Sequence, residues 1–415
     1  MNTTNRAARV SERILQEPSP TRRSAMLAGV GSVLALGSES AKTRVAAIVT
    51  EYRSRSHADV ICSRIFDGYT PNGVRVAPRT RIVSMYTDQI APKDMSREMA
   101  ARHGFPIYPT VAEAMSVPFD AVLLIGEHGN YPLNELGQKM YPRYELFQQI
   151  VEVLRKNGRA VPVFSDKHLS WSWEHARQMY DEARELKIPF MAGSSIPVTV
   201  RIPELELPLG SRIEHAVAIG YGDLEAYGFH TLEALQCMIE RRAGGETGVA
   251  AVHTLSGDDV WNWSDSADGQ WTKALLDAAL ACNRDTKPGP ARQSAKNPAL
   301  FLIEYRDGLR AAVYMLNGYV ASWLFAAKLK DRPQPVATHF GMLKETRDLP
   351  HFDGLVHCIE ELFVTRRPVY PVERTLLTTG ILAFLLESRY RKRRIETPQL
   401  KVVYRAPKHA WFERA

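Results

Sequence analysis

The stretch from Val45 to Ile61, VAAIVTEYRSRSHADVI, constrains the fold more than any other part of the chain. Val45 to Val49 is a β-branched and alanine run with the pattern of a buried strand. Thr50 to Ser56 are polar, and His57-Ala58-Asp59-Val60-Ile61 opens a helical pattern. A strand, a tight turn and a helix at the head of an α/β chain is where dinucleotide-binding units keep a glycine-rich phosphate turn. The surroundings are right and the glycines are missing.

The chain behind this stretch alternates. Asp67 to Pro78, rich in Gly, Pro and Asn, predicts a loop. Thr80 to Tyr86 predicts a second buried strand, ending at Thr87-Asp88, where an acidic residue can grip ribose hydroxyls. Strands at Pro106–Tyr108, Asp120–Ile125, Val161–Phe164 and Pro189–Ala192 alternate with helices at Ser96–Gly104, from Thr110, at Glu145–Asn157 and at Trp173–Leu186. Thr110 and Glu113 fit a capping box. This alternation predicts a Rossmann-like, doubly wound parallel sheet.

From about Arg201 the texture changes to longer alternating runs at Ile213–Ile219, Gly248–Thr254, Leu300–Tyr305, Leu309–Leu316 and Val336–Met342. They predict an open, mostly antiparallel sheet with one face packed on helices. The helical patterns Leu232–Arg242, Lys273–Cys282, Asp353–Thr365 and Val372–Arg391 are expected to cover that face. A length of 415 residues suits two such domains. The expected division is an N-terminal arm over 1–40, a Rossmann-like domain over 41–195 and an α/β sheet domain over 196–415.

Composition excludes several classes. Hydrophobic residues at 45% and charged residues at 24% exclude a disordered or collagenous chain. The net charge of +7 is modest, and the one basic run, Arg389 to Arg394, ends a helical pattern where cations match the dipole. No nucleic-acid partner is expected. Cys62, Cys237, Cys282 and Cys358 form no CxxC, which excludes a zinc-ribbon pattern.

At the N-terminus, Thr21-Arg22-Arg23 precede Ser24 and the apolar run Ala25–Gly37. That run is shorter than the ~20 residues a bilayer crossing needs, and no other segment suits a membrane span. Paired arginines before a short hydrophobic run resemble a twin-arginine export signal, with small residues in Ala35-Leu36-Gly37 for cleavage. A periplasmic or otherwise exported protein is the expectation, and a cytoplasmic protein with an N-terminal arm is the alternative. Twin-arginine export carries folded proteins, often with their cofactor inserted.

Taken together, this order resembles the glucose–fructose oxidoreductase/inositol dehydrogenase/MocA superfamily from about Val45 to Tyr404. The carrying motifs are the strand-turn-helix ending in His57-Ala58, the fourth-strand loop opened by Gly126, Asp166-Lys167-His168 where the family has Glu-Lys-Pro, and Tyr227-Gly228-Phe229-His230. The resemblance implies a Rossmann domain, a C-terminal sheet domain and oxidation or reduction of a sugar or polyol with NAD or NADP. It also implies a homo-oligomer joined through the C-terminal sheet face. Lys167 falls on the catalytic lysine and His230 on the histidine that serves as general acid/base, with Asp166 beside them. Histidine suits that role because its ordinary pKa is about 6.5.

The chain departs from the family where Gly-x-Gly-x-x-Gly is replaced by Val49, Glu51 and Ser54. Only a residue without Cβ lets main chain approach a pyrophosphate closely. Arg53 and Arg55 can recognise phosphate from the side chain instead. The expected cofactor contacts are therefore Thr50, Glu51, Arg53, Arg55, Asp88, Gly126 and His128. The aspartate expected four residues before His230 is Ala226, leaving Asp223 and Glu225 as candidates to orient the histidine.

Two alternatives stay open. Glu127, His128, His168 and His230 are plausible ligands for a divalent metal, without any short-range ligand spacing. Trp261, Trp263 and Trp271 can stack on a sugar or pack at a domain seam. A metal-dependent or cofactor-independent carbohydrate-active enzyme, or a carbohydrate-binding protein, is thus the second class beside the oxidoreductase.

Overall fold

The structure is a computed structural model that describes residues 42–283, 286–341 and 349–414. The candidate export signal lies outside the described residues.

The first sheet follows the predicted alternation. Its elements are β1 (Thr43–Glu51), α1 (His57–Asp67), β2 (Thr80–Gln89), α2 (Ser96–His103), β3 (Ile107–Tyr108) and α3 (Val111–Ala114). They continue with β4 (Ala121–Ile125), α4 (Arg143–Lys156), β5 (Val163–Asp166), α5 (Trp173–Glu185) and β6 (Phe190–Gly193). All six strands are parallel in the order β3-β2-β1-β4-β5-β6. Val45 to Val49 are fully buried because β1 lies centrally, with Val45 beside Ala121 and Ile48 beside Leu124. The strand order reverses between β1 and β4, and at such a switch point the carboxyl ends of the strands open a crevice.

Helix starts follow local chemistry. The Ser56 hydroxyl accepts from the Asp59 amide to begin α1, and Thr110 accepts from the Glu113 amide to begin α3.

The second sheet contains β7 (Arg201–Ile202), β8 (Ile213–Gly220), β9 (Val249–Ser256), β10 (Ala299–Tyr305), β11 (Arg310–Met315), β12 (Trp323–Leu329), β13 (Val336–Phe340) and β14 (Ile395–Glu396). Its order is β14-β9-β10-β11-β8-β12-β13-β7, antiparallel except for the parallel pair β8–β11. The helices of this half are α6 (Ala226–Ile239), α7 (Asp258–Asp265), α8 (Lys273–Ala281), α9 (Ala291–Ser294), α10 (His351–Thr365) and α11 (Val372–Arg391).

The helices distribute differently from the expectation that four would share one sheet face. Leu232 of α6 and Leu385 of α11 pack with Phe301 and Phe325 on the inner face. On the outer face, Val260 and Trp261 of α7 and Leu275 of α8 pack with Val217, Leu300, Tyr314 and Leu324. The Tyr314 hydroxyl shares hydrogen bonds with Ser264 and Thr272, both at 2.8 Å, which ties that cover down. Trp261 is only 9% exposed and serves this packing rather than a sugar face.

Helix α10 returns to the first sheet. Phe352, Leu355 and Ile359 pack with Val45, Ile61 and Met85. Asp353 pairs with Arg64 of α1. Glu360 accepts from the Tyr69 hydroxyl at 2.8 Å and from the Thr80 hydroxyl at 2.6 Å. Those carboxylates are seven residues apart, so they lie on one helix face and choose the partner that the apolar period alone left open.

Candidate active site

Strand β5 delivers the central groups. Asp166 is fully buried, and Lys167 follows in the left-handed region at φ +71°. A lysine in that region stores strain, which surrounding structure must hold. Here the Lys167 amide donates to the Gly193 carbonyl at 3.0 Å. Gly193 itself has no room for a side chain, since a Cβ would stand 2.7 Å from Glu233 Oε1.

Lys167 Nζ lies 2.6 Å from His230 Nε2, with the two residues 4% and 8% exposed. The resemblance assigned both residues, and the fold brings them into contact from the end of β5 and from α6. An ammonium only donates, so His230 Nε2 accepts and its proton belongs on Nδ1. Burial and then the Lys167 charge hold the His230 pKa well below its ordinary value, so the ring is a neutral base at pH 7. Asp223 and Glu225 do not orient it. Asp223 caps the start of α6 by accepting from the Ala226 amide at 2.7 Å, and Glu225 accepts from the Lys139 amide at 2.8 Å.

Asp166 instead meets a residue to which the sequence had given no role. Its Oδ2 lies 2.6 Å from His57 Nδ1, at the first residue of α1. The His57 ring is framed by Phe352, edge-on at 5.0 Å, and by His128 at 5.2 Å.

The turn between β1 and α1 satisfies itself with side chains. Ser56 Oγ accepts from the Asp59 amide at 3.3 Å and from the Arg53 amide at 3.2 Å. Asp59 Oδ2 accepts from the Arg55 amide at 2.8 Å. Glu51 Oε1 pairs with Arg53 Nε at 2.5 Å, and Tyr52 is buried. The His57 amide donates to His128 Nδ1 at 3.4 Å. Burial and then His57 push the His128 pKa down to about 4, which keeps that ring a neutral acceptor at pH 7.

His128 belongs to the loop after β4, which crosses the end of β1. Thr50 Oγ1 donates to the Glu127 carbonyl at 2.8 Å. The Asn130 amide donates to Gln89 Oε1 at 2.8 Å, and the Tyr131 hydroxyl donates to Asp88 Oδ2 at 2.6 Å. Asp88 also accepts from the Tyr86 hydroxyl at 2.7 Å, so both its oxygens already serve tyrosines.

A buried ionic group completes the edge. Arg143, the first residue of α4, is 0% exposed. It donates to Glu127 Oε2 at 2.5 Å and lies 3.1 Å from His168 Nε2. Gly126 makes room for it, because a Cβ there would meet the Arg143 stem at 2.5 Å. Burial opposes ionisation of Glu127, but the Lys167 and Arg143 charges together bring its pKa down to about 2. Burial and then Arg143 hold His168 neutral, well below its ordinary pKa. A cation at the positive end of a helix is unfavourable without a carboxylate nearby, and that misfit was the available sequence sign of Arg143.

Of the metal candidates, Glu127 and His168 serve Arg143, His128 serves the His57 amide and His230 serves Lys167. Among the described residues no three His, Cys, Asp or Glu side chains form a group that could hold a metal ion.

Glu225 carries a pH signature. Burial pushes its pKa up to about 7. Its native pKa exceeds the unfolded one, so its contribution to stability is fully present below about pH 4.5 and is lost as pH rises through about 7. Glu225→Gln is expected to leave stability nearly unchanged at pH 4 and raise it by up to about 3 kcal/mol at pH 8. Urea unfolding at the two pH values reads the difference.

The parallel sheet and the mostly antiparallel sheet form a two-domain α/β fold, with Lys167 and His230 in contact between the two halves. No family model matches the chain, and no curated protein matches it in sequence. Solved structures do. GenD2 from gentamicin A biosynthesis, in complex with NAD, is 14% identical over 86% of this chain and 96% of its own, with a TM-score of 0.56. Myo-inositol 2-dehydrogenase from Lactobacillus plantarum is 9% identical over 86% and 99%, with a TM-score of 0.52. Apo scyllo-inositol dehydrogenase from Lactobacillus casei is 11% identical over 86% and 98%, also at 0.52. The chain therefore shares the two-domain α/β fold of these solved structures.

Proposed function

We propose that the chain is an oxidoreductase acting on a sugar or polyol hydroxyl, with NAD or NADP taken along the carboxyl edge of its parallel sheet. The observation that carries this reading is the 2.6 Å contact between Lys167 Nζ and His230 Nε2 at that edge. The dehydrogenase names of two structural neighbours and the NAD bound to a third support it.

In this mechanism Lys167 donates to the substrate hydroxyl oxygen and neutral His230 takes up the proton that leaves it. The ammonium favours the alkoxide that develops, inside a site with little water to screen it. A bound nicotinamide would supply the hydride acceptor for the carbon bearing that hydroxyl.

The substrate end fits a polar ligand. Asp166 Oδ1, Ser165 Oγ and His230 Nδ1 are buried and have no hydrogen-bond partner among the described residues. A polyol or a carboxamide can satisfy such groups. The phosphate end fits only after exchange of partners. Arg53, half-exposed, must trade Glu51 for phosphate, and His128 must release the His57 amide. Thr50, Arg53 and Arg55 are the side-chain donors we assign to that altered site, together with the His57 amide once His128 releases it.

The test is reduction of NAD or NADP by the full chain over a panel of sugars and cyclic polyols. Turnover above the protein-free rate supports the reading, and its absence with both cofactors across the panel opposes it. The self-satisfied turn favours a second reading, a cofactor-independent acid–base enzyme on the same crevice.

We also propose export by the twin-arginine route, supported by Arg22-Arg23 before the apolar run. Replacing both arginines by lysine is expected to shift the protein from the exported to the cytoplasmic fraction. An unchanged distribution would oppose it. A homo-oligomer, proposed from the resemblance, has to use surfaces other than the outer sheet face covered by α7 and α8, and light scattering reads its mass.

A further inference from the structure

Asp166 and Lys167 are consecutive, so their Cα atoms lie about 3.8 Å apart. From these neighbouring positions two pairs diverge. Lys167 reaches His230 on α6, and Asp166 reaches His57 on α1. Oxidation of a hydroxyl at Lys167 and His230 leaves the second pair without a task.

The His57–Asp166 pair has the build of an acid–base device. A fully buried carboxylate on Nδ1 holds the proton there and leaves Nε2 as the basic nitrogen. The same carboxylate keeps Oδ1 buried and without a partner among the described residues. His57 stands between Phe352 and the neutral His128, which fixes the ring without adding a competing charge. Its side chain is 15% exposed, so it is open to solvent.

We propose that His57, positioned by Asp166, is a second proton-transfer group, removing the hydrogen from the carbon next to the carbonyl of an oxidised sugar or polyol. The substrate class rests on the oxidoreductase reading, whereas the reaction goes beyond it. In the step, the C–H bond breaks and the proton moves to His57 Nε2. The electron pair forms the C=C bond of an enediolate, and the carbonyl pair moves onto oxygen beside the Lys167 ammonium. Return of the proton to carbon restores the ketone, so no oxidant, reductant or second substrate is consumed. The site thereby exchanges, and can invert, a C–H centre adjacent to the carbonyl.

The experiment uses the full chain in D2O without added nicotinamide, with 2-keto-myo-inositol and D-fructose as probes. NMR follows loss of the proton signal next to the carbonyl. Deuterium uptake above the protein-free rate on either probe is expected, with a loss of about 10²-fold or more in His57→Asn and His57→Gln. Asp166→Asn is expected to move the proton from Nδ1 to Nε2, read by 15N shifts of His57, and to slow uptake in parallel. No uptake on either probe overturns the proposal, as does uptake unchanged in folded His57 variants or His57 shifts unchanged in Asp166→Asn. Failure of NAD or NADP turnover with uptake intact would strike the oxidoreductase reading alone. Turnover with no uptake would strike only the role of His57.

Discussion

Lys167→Met is expected to lower turnover of a sugar or polyol by at least about 10²-fold, with His230→Asn causing a loss of similar order. Among the described residues the ammonium is the one donor placed on His230 Nε2, 2.6 Å away, and methionine keeps the stem while removing the charge. The fold should tolerate the change because Lys167 holds its left-handed backbone through its own amide and the Gly193 carbonyl. Loss of the charge also relieves one cause of the depressed His230 pKa, so the acid limb of the remaining activity should move to higher pH. A pH–rate profile of Lys167→Met beside wild type measures both effects. Activity within a factor of two of wild type would remove Lys167 from the chemistry.

Arg143→Met is expected to cost about 3–5 kcal/mol of stability. The side chain is 0% exposed and serves Glu127 at 2.5 Å and His168 at 3.1 Å. Removing it strands a carboxylate that the Arg143 charge helps keep ionised with a pKa of about 2. The paired change Arg143→Met with Glu127→Gln should recover part of the loss, because the stranded charge disappears with its partner. Chemical unfolding of the two variants separates charge stranding from lost packing.

Local pattern made the first sheet legible. The β-branched and alanine run at Val45–Val49 had the pattern of a buried strand, and His57-Ala58-Asp59-Val60-Ile61 opened the helix that Ser56 caps. The second sheet was legible for the same reason, in its alternating runs. The destination of α10 was not, because its apolar stripe fits either sheet and Asp353 and Glu360 decide between them. The site was legible in proportion to its dependence on short motifs. Lys167 and His230 came from the resemblance, whereas the His57–Asp166 pair joins residues 109 apart and leaves no spacing to read. The contact of His128 with the His57 amide is a side chain meeting main chain across 71 residues, which no pattern of residue types records. Glu51 was legible as a departure from the glycine motif, whereas its pairing with Arg53 was not.

The most direct test is titration of the purified full chain with NADH and NADPH, read by nicotinamide fluorescence. It is run on wild type and on the double variant His128→Ala with Tyr131→Phe, which removes the ties of the 126–132 loop to α1 and to Asp88. Saturable binding of at least one of the two dinucleotides is expected, tighter in the double variant because the loop no longer competes for the His57 amide. No saturable signal from either dinucleotide, in wild type or in the folded double variant, would contradict the oxidoreductase reading.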